Sequence, residues 1–423
     1  MLPKLGIVAD DYTGGLLVAG LLEAFGISAP VAFDTQAVAD SSTGDVIILA
    51  TRTRFLPLEA ALDTIAAGAD ALEAAGCKRI AYKACASFDS TPTGNIGPAA
   101  DLLSDRAGGA PVLMSAGFPA YDATVHQGYL FYRGRLVSES VKRMDPLTPM
   151  SDPDLVRFLS LQTRTPVALL PHRFLVAGEE TARSHWQSLL AAGARHVLAD
   201  SSDERDIDVT VKLAAESNAV VVASDPAIVG IARALVASQA SFAGGADARR
   251  AIDGPGAVLV GSVGPTATAQ IASFAVDHPF LTLDLLNPGG EDATIAEALA
   301  WADPLIGDHP FGMSTAGAFS DVVSAQQALG QLEAARKAER ILAGVARGLV
   351  DRGVRRLVVS GGETSGAVVD ALGIRRVRAL PETPLGAGFC RVEAPTPMML
   401  FLKSGKLGSE DVFARALSLM PEL

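Results

Sequence analysis

Two adjacent carboxylates, Asp10 and Asp11, follow the first apolar stretch of the chain and precede the run Thr13-Gly14-Gly15. In open α/β sheets, ligands bind at the carboxyl ends of the strands, so a carboxylate there can orient a hydroxyl group or act as a general base. Asp11 is therefore a candidate catalytic residue and Asp10 a candidate substrate-binding residue. The alternative is that Asp11 or Thr13 only caps the next helix.

Two arginines, Arg52 and Arg54, follow the apolar run Val46–Ala50. Residues two apart in an extended segment point to the same side, which would let both guanidinium groups face one ligand. Arginine binds carboxylates through paired hydrogen bonds, so both are candidate substrate-binding residues. Ordinary solvation at the surface is the alternative.

A third polar segment covers residues 82–97 and begins at the end of another apolar run. Its hydroxyl groups, amide and flexible backbone suit a polyhydroxylated ligand. Asp89 is the second candidate catalytic residue. The candidate substrate-binding residues are Lys83, Ser90, Gly94 and Asn95. An ordinary turn followed by a helix cap has the same composition and is the alternative.

Three glycine-containing loops occur in the second half of the chain. Backbone N–H groups between a strand and a helix are well placed to bind phosphate. The candidate nucleotide-binding residues are Gly261, Ser262 and Thr266 in the first loop, Gly361, Gly362, Glu363, Thr364 and Ser365 in the second, and Lys403, Ser404 and Gly405 in the third. Glu363 is also the candidate Mg²⁺ ligand. The first loop lacks the ending of a Walker A motif, and each loop has a turn-only alternative.

Chain length, net charge and cysteine content limit the classes of protein to which the chain can belong. A chain of 423 residues should form two or three domains at roughly 150 residues each. The formal net charge of −12 argues against a general nucleic-acid surface. Three cysteines without C-x-x-C spacing predict neither a disulfide framework nor a zinc site, and they fit a reducing cytoplasm. We expect no signal peptide, and the apolar runs are far shorter than the roughly 20 residues of a membrane helix.

Short β-branched runs alternate with Ala/Leu-rich stretches in the first half of the chain. This pattern predicts a mostly parallel sheet with helices on both faces. The predicted strands are residues 6–8, 46–50, 80–83, 111–115, 167–170, 196–199 and 220–223, and the predicted helices are 16–25, 58–75, 97–104 and 179–192. Residues 118–143, with spaced glycines and short aromatic runs, predict an antiparallel excursion or an active-site flap.

A cluster of glycines at residues 241–256 predicts a domain boundary. A second α/β unit follows it. The expected strands there are 258–260, 281–284 and 357–360, and the expected helices are 266–274 and 325–352, the latter as one long helix or two abutting ones. We therefore predict an α/β protein with two Rossmann-like three-layer domains, mostly parallel sheets and a cleft between them.

Five of these segments, in the same order, resemble those of the four-carbon acid sugar kinases. The opening Asp10-Asp11-Tyr12-Thr13-Gly14 resembles the family's Asp-Asp-x-Thr-Gly, and residues 51–54 resemble its arginine-bearing strand end. Asp89-Ser90-Thr91 with Gly94-Asn95-Ile96-Gly97 resembles its Asp-Ser-Thr and Gly-Asn-Ile-Gly segment. Residues 361–365 and 402–408 are similar to its two C-terminal signatures. The resemblance spans nearly the whole chain.

The resemblance implies ATP- and Mg²⁺-dependent phosphorylation of a tetronate-type acid, at its terminal hydroxyl group, with arginine on the acid's carboxylate. It implies a substrate-binding domain at residues 1–240 and a nucleotide-binding domain at residues 250–423. We expect a cytoplasmic enzyme whose partners are a small sugar acid and ATP, with no nucleic acid and no membrane. A homodimer is left open.

The chain departs from the family pattern on the substrate side. Leu17 stands where an acidic residue is usual, two extra residues separate Lys83 from Asp89, and Thr93 replaces a common arginine. These changes leave the identity and stereochemistry of the acid open, and also which aspartate is the base. The alternatives are a non-catalytic sugar-acid sensor and a nicotinamide-dependent dehydrogenase. Against the latter, no Gly-x-Gly-x-x-Gly follows the first strand.

Overall fold

The structure is a computed structural model that describes residues 5–41, 44–145, 147–237, 252–315 and 319–420. The chain divides into two compact units. The first contains the described residues up to 237 except 19–24, and the second contains residues 19–24 with the described residues from 252 onward. Much of the predicted boundary at 241–256 lies outside the described residues.

The first half of the chain contains eleven strands and nine α-helices among the described residues. The strands are β1 (Leu5–Ala9), β2 (Val31–Ala32), β3 (Val46–Ala50), β4 (Arg79–Lys83), β5 (Val112–Ser115), β6 (Ala123–His126), β7 (Tyr129–Tyr132), β8 (Arg135–Leu136), β9 (Val167–Leu170), β10 (His196–Ala199) and β11 (Val220–Ala223). The helices are α1 (Tyr12–Ala24), α2 (Thr35–Ala39), α3 (Leu58–Ala74), α4 (Ile96–Arg106), α5 (Leu155–Ser160), α6 (His172–Leu175), α7 (Glu179–Ala191), α8 (Glu204–Glu216) and α9 (Asp225–Ala237).

Eight of these strands form one parallel sheet in the order β2-β3-β1-β4-β11-β5-β10-β9. The central strands β1 and β3 are buried along their whole length, as is typical of a parallel sheet that is covered on both faces. The remaining strands β6, β7 and β8 form a separate antiparallel sheet. The predicted antiparallel excursion is therefore confirmed.

The second unit contains seven strands and six α-helices among the described residues. The strands are β12 (Gly256–Val260), β13 (Phe280–Thr282), β14 (Phe311–Ser314), β15 (Arg356–Ser360), β16 (Arg376–Ala379), β17 (Phe389–Val392) and β18 (Met398–Lys403). The helices are α10 (Pro265–Phe274), α11 (Gly290–Ala302), α12 (Phe319–Leu329), α13 (Gln331–Asp351), α14 (Gly362–Ala371) and α15 (Val412–Leu419). The strand order is β13-β14-β12-β15-β18-β17-β16, in which β17 is antiparallel to both of its neighbours and the other pairs are parallel.

The α/β class with mostly parallel sheets is confirmed, and most predicted strands match to within two residues. The predicted helix 325–352 is two helices, because Gly330 separates α12 from α13 with a φ of 83°. The short strand β2 and helices such as α2 and α5 were not predicted, since they are too brief to show a hydrophobic period. The longer helices α8, α9 and α11 and the buried strand β18 were not predicted either. No helix in the described ranges is long and apolar enough to cross a membrane.

Candidate active site

The polar groups of the first unit gather where four neighbouring parallel strands end. β3, β1, β4 and β11 lie side by side in that order, and Ala9 pairs with both Ala50 and Lys83. Since these partners are level at the carboxyl edge of the sheet, the residues that follow them meet there. Asp10 and Asp11 follow β1, Arg54 follows β3, Lys83 ends β4 and Asp225 follows β11.

Asp10 and Arg54 form a bidentate ion pair. Arg54 Nε donates to Asp10 Oδ2 at 2.7 Å, and Arg54 Nη2 donates to Asp10 Oδ1 at 2.9 Å. The same Nη2 lies 3.0 Å from Asp11 Oδ1. Burial alone would lower the pKa of Arg54, but Asp10 and then Asp11 raise it well above its usual value. Arg54 is therefore a permanent cation that holds the two aspartates in place.

Asp11 is fixed from four directions. Its Oδ2 accepts a hydrogen bond from Thr13 Oγ1 at 2.7 Å, and its Oδ1 accepts one from the backbone N–H of Gly14 at 3.0 Å. Burial alone would raise the pKa of Asp11, but Arg54, Lys83 and the two hydrogen bonds lower it to about 2. The carboxylate of Asp11 thus caps the start of α1 and stays ionised at neutral pH, and its catalytic role stays a prediction.

Lys83 is buried between two carboxylates. Its Nζ lies 3.3 Å from Asp225 Oδ1 and 3.8 Å from Asp11 Oδ1. Burial alone would lower the pKa of Lys83, but Asp225 and then Asp11 raise it above its usual range. The amine rests against the backbone of α1, since a Cβ at Gly14 would lie 2.0 Å from Lys83 Nζ. Glycine is required there so that the ammonium group can reach Asp11.

The expectation that Arg52 and Arg54 share one extended segment is wrong. β3 ends at Ala50, and Thr53–Phe55 form a 3-10 turn. Arg52 precedes this turn and Arg54 lies within it, so the alternating geometry of an extended segment does not apply to the two side chains. Arg54 faces Asp10, whereas Arg52 lines a cavity of about 190 Å³. The other residues that line this cavity are Tyr12, Phe33, Asp34, Thr35, Leu49, Thr51 and Thr64.

Asp89 lies in a second ionic cluster. Lys142 Nζ forms a short ion pair with Asp89 Oδ2 and donates to Ser87 Oγ at 2.7 Å, while Ser87 Oγ donates to Asp89 Oδ1 at 2.7 Å. Lys142 comes from the 3-10 turn Val141–Met144 that follows β8. The antiparallel excursion therefore reaches into the loop that follows β4 through a buried lysine.

The remaining predicted substrate-side residues shape this loop. Asn95 Nδ2 donates to the carbonyl oxygens of Thr53 and Leu56, at 2.7 and 3.2 Å, so its amide nitrogen ties the loop to the turn after β3. Ser90 Oγ accepts a hydrogen bond from Gln162 Nε2 at 3.1 Å. A Cβ at Gly94 would lie 1.9 Å from Ser90 Oγ, which explains the glycine.

The three glycine loops of the second unit meet at the carboxyl edge of its sheet. They follow the neighbouring parallel strands β12, β15 and β18. Backbone N–H groups of Gly261 and Ser262 donate to the carbonyl oxygen of Ser360, and the N–H of Gly361 donates to the carbonyl oxygen of Lys403. The loops thus form one connected surface rather than three independent turns.

Close packing explains two of the glycines. A Cβ at Gly261 would lie 2.0 Å from Thr364 Oγ1, and a Cβ at Gly405 would lie 2.2 Å from Ser262 Cβ. Gly405 and the neighbouring Ser404 remain partly exposed. Thr266 lies in the first turn of α10, also partly exposed.

The second loop turns directly into a helix. Gly361 has a φ of 125°, and Gly362 is the first residue of α14. Thr364 and Ser365 are buried in the first turn, where Ser365 Oγ has no hydrogen-bond partner among the described residues. The backbone N–H groups of such a first turn are not used within the helix, so they can bind an anion.

Lys403 is a buried cation without a carboxylate among its hydrogen-bond partners in the described chain. Its Nζ donates to Gln270 Oε1 and to Ser360 Oγ, both at 3.0 Å. Burial lowers the pKa of Lys403 to about 7. A buried ammonium group with neutral partners gains most from an incoming anion, because the anion offsets the cost of removing the charge from water.

Glu363 is the one acidic residue in the sequence of the three glycine loops. It lies in the first turn of α14 and is partly exposed. Within the described residues, no group of three or more His, Cys, Asp or Glu side chains is placed to hold a metal ion. Mg²⁺ keeps several water ligands and is commonly held by one or two carboxylates with substrate phosphates. The donor set therefore fits Mg²⁺ only together with phosphate oxygens.

Comparisons with known proteins match both halves of the chain. Residues 5–234 match a family model described as a sugar-binding N-terminal domain, and residues 257–413 match a nucleotide-binding C-terminal domain. A 3-oxo-tetronate kinase of Methylobacterium radiotolerans is 36% identical, covering 98% of this chain and 99% of the relative. One of Burkholderia multivorans is 35% identical, covering 98% and 97%. The chain belongs to the four-carbon acid sugar kinase family.

Two solved structures share the fold of this chain. A protein of Salmonella typhimurium LT2 is 28% identical with a TM-score of 0.83, and 98% of each chain is covered. A Haemophilus influenzae protein of the family DUF1537 is 26% identical with a TM-score of 0.74, covering 98% of this chain and 100% of the other. The family resemblance in the sequence is confirmed.

Sequence reasoning about this four-carbon acid sugar kinase family member missed residues that contact predicted site residues, among them Gln162, which donates to Ser90, and the three that follow. Asp225 follows a predicted strand, so its position at the end of β11 was a usable signal. Lys142 lies in the antiparallel excursion, more than fifty residues from Asp89, and no local pattern connects them. Gln270 lies inside α10, where an amide would be expected on the solvent side, yet it is fully buried.

Proposed function

We propose that this protein is an ATP-dependent kinase that phosphorylates the terminal hydroxyl group of a four-carbon sugar acid of the 3-oxo-tetronate type. The observation that carries the proposal is the full-length similarity to 3-oxo-tetronate kinases at up to 36% identity in the relatives described above. The strand-end clusters of the two units support it from chemistry. Because ATP is abundant in the cytoplasm, we expect the protein to act there.

The acid is proposed to bind to residues 1–240. Three strand ends there supply charged and hydroxyl-bearing side chains, which suit a ligand that carries hydroxyl groups and a carboxylate. Asp10, Ser90 and Asn95 remain the proposed substrate-side residues with Gly94, although part of each polar side chain is already engaged within the protein.

Asp11 is proposed to accept a hydrogen bond from the reacting hydroxyl group. A carboxylate with a pKa of about 2 is a weak base at neutral pH. Phosphoryl transfer passes through a loose transition state in most analyses, so orientation of the hydroxyl matters more than early removal of its proton. The role of Asp11 is therefore to align the nucleophile. Asp89 is the second candidate for this contact.

ATP is proposed to bind to residues 250–423, with its phosphates against the three glycine loops. The first turn of α14 offers backbone N–H groups, and the charged form of Lys403 offers an ammonium group. Lys403 would neutralise charge on the transferring phosphoryl group. Glu363 would hold Mg²⁺, directly or through water, and the ion would supply positive charge that stabilises the phosphates of ATP.

The experiment is a turnover assay of the purified full-length protein with ATP and Mg²⁺. The acids to be compared are 3-oxo-tetronates, tetronates and unrelated small hydroxy acids, each followed by ADP release and by product mass. We expect a four-carbon acid to give the highest kcat/KM and a product that carries one added phosphoryl group. The control is Lys403→Met, which should bind the acid but turn over slowly.

Two results would contradict the proposal. If acids bind and ATP binds but no acid stimulates ADP release, the protein is a sensor rather than a kinase. If a hydroxy acid outside the four-carbon class gives the highest kcat/KM, the kinase chemistry stands and the substrate class is wrong.

A further inference from the structure

We propose that Lys142 binds the carboxylate group of the sugar acid, a role that the sequence would assign to Arg54. This inference rests on the proposed function and names the residue that recognises the acid in that site. It follows from how Arg54, Lys83 and Lys142 are already paired.

Arg54 has little capacity left for a substrate carboxylate. Its Nε and Nη2 both donate to Asp10, and Nη2 also contacts Asp11. The bidentate pair with Asp10 uses the Nε and Nη2 edge of the guanidinium group, and the edge that remains shares the Nη2 group that already contacts Asp10 and Asp11. Lys83 is in a similar position, since Asp11 and Asp225 lie on either side of its amine.

The charge balance also opposes an acid at Arg54. Three carboxylates, those of Asp10, Asp11 and Asp225, surround the two cations Arg54 and Lys83. A fourth carboxylate there would raise an existing excess of negative charge in a buried site, where like charges interact strongly.

Lys142 has fewer carboxylate partners than Arg54 and Lys83. Among the described residues, its one ion-pair partner is Asp89, so the pair is neutral. In the described chain, two of its three N–H donors have hydrogen-bond partners, Asp89 and Ser87, and its Nζ lies 5.3 Å from the centre of the Tyr132 ring. Burial alone would lower the pKa of Lys142, but Asp89 raises it, so the amine is charged at neutral pH.

The position of Lys142 in the chain fits a recognition role. It is carried by the excursion formed by β6, β7 and β8 and the following turn, yet its amine lies in the loop that follows β4. Ser90, a proposed substrate contact, directly follows Asp89 in that loop. A carboxylate that binds to Lys142 would therefore bring the rest of a four-carbon chain beside the proposed hydroxyl-binding residues.

The test compares two substrates that differ only in the recognised group. One is a 3-oxo-tetronate, and the other is erythrulose, which has the same four-carbon skeleton with an alcohol in place of the carboxylate. We would measure kcat/KM for both with wild-type protein, with Lys142→Met and with Lys142→Arg. The matched control is Arg143→Met, which removes an exposed cation from the same turn.

Lys142→Met should lower kcat/KM for the acid on the order of 10- to 100-fold, the usual value of a charge-assisted contact, and leave kcat/KM for erythrulose within about threefold. The KM for ATP should not change. Lys142→Arg should recover part of the loss, and Arg143→Met should resemble wild type. Turnover of erythrulose reports on folding and on Asp89. A structural defect would therefore lower kcat/KM for both substrates equally.

Equal losses for the two substrates, or no loss for either, would overturn the proposal. In the second case Arg52→Met tests the competing cation, since Arg52 lines the cavity beside Tyr12. If the wild type turns over no acid at all, the proposed function fails separately, and calorimetric binding of the acid to wild type and Lys142→Met still decides the role of Lys142.

Discussion

The side-chain oxygen of Gln270 accepts a hydrogen bond from the ammonium group of Lys403 at 3.0 Å, inside the second unit. The nitrogen of the same amide donates to the carbonyl oxygens of Leu407, Gly408 and Ser409, at 3.0 to 3.1 Å. One buried side chain of α10 therefore fixes both the lysine and the loop that follows it. Because the amide is neutral, it orients the cation without compensating its charge.

Lys403 should make ATP binding depend on pH. Its pKa is lowered from 10.5 to about 7, so the amine loses its charge as the pH rises through 7. A bound phosphate raises the pKa again, because an anion favours the charged form. We expect ATP binding at pH 8 to take up close to one proton, measured by calorimetry in buffers of different ionisation enthalpy.

The control for this proton uptake is Lys403→Met, which should take up less. The stability of the folded protein should also depend on pH, and it should increase as the pH rises. A lysine whose pKa is lower in the folded than in the unfolded protein favours folding as the pH rises from about 7 towards 10.5. Equal proton uptake by wild type and Lys403→Met would remove Lys403 from the phosphate site.

Gly405→Ala should weaken ATP binding while the acid still binds. The added Cβ would lie 2.2 Å from Ser262 Cβ, so one of the two loops must move. Displaced backbone N–H groups no longer converge on a phosphate. We expect the Kd for ATP to rise on the order of tenfold, with an unchanged Kd for the acid, both measured by calorimetry. An unchanged Kd for ATP would place the phosphates elsewhere.

The sequence allowed the strand ends to be predicted, but not the partners across them. Asp10, Asp11 and Lys83 could be placed because each follows or ends a continuous apolar run, which is a local signal. The pairing of Arg54 with Asp10 depends on the 3-10 turn after β3, and a short turn of this kind leaves no period in the sequence. The extended geometry assumed for Arg52 and Arg54 was wrong for this reason.

Contacts between residues far apart in the chain could not be predicted from the sequence either. Lys142 and Asp89 meet because the antiparallel excursion folds back onto the parallel sheet, and that packing is tertiary information. In the second unit the loops could be predicted one by one. Their contact depends on the order β12-β15-β18, in which β18 is added beside β15 from the far end of the chain. A single sequence does not encode that order in any local pattern.

Asp11→Asn should lower kcat on the order of 10²-fold and leave the Kd for ATP unchanged. The amide keeps the size of the side chain but loses the charge that aligns the hydroxyl group. Because the pKa of Asp11 is about 2, wild-type kcat should show no acidic limb from this residue between pH 4 and pH 7. Steady-state kinetics across that range checks both points, and a normal kcat for Asp11→Asn would rule out its role in catalysis.

Arg54→Ala should be more damaging to stability than Asp11→Asn. It leaves two buried carboxylates, Asp10 and Asp11, without their shared cation. Removing one partner of a buried ion pair typically costs about 3 to 5 kcal/mol. We expect urea unfolding to show this loss, and turnover of acid and of erythrulose to fall together. A selective loss for the acid would instead return the carboxylate contact to Arg54.

Asp225→Asn should stabilise the folded protein, whereas removing one partner of a buried ion pair usually destabilises it. Asp225 Oδ1 lies 3.3 Å from Lys83 Nζ, and burial raises the pKa of Asp225 despite this ion pair. The variant leaves Lys83 with Asp11 and removes the excess negative charge of the cluster. Lys83→Met is the comparison, because it leaves three carboxylates with one cation.

The sign of the pH dependence follows from the direction of the shift. A carboxylate whose pKa is higher in the folded protein destabilises the fold as the pH rises from its unfolded value of 3.8 through the folded value. The stability of Asp225→Asn relative to wild type should therefore increase with pH across that window, whereas Lys83→Met should lose about 3 to 5 kcal/mol at neutral pH. Urea unfolding at pH 4, 5, 6 and 7 measures both. If Asp225→Asn became less stable relative to wild type as the pH rises, Asp225 would be a stabilising ion-pair partner of Lys83 and the pKa of its carboxyl group would be lowered instead.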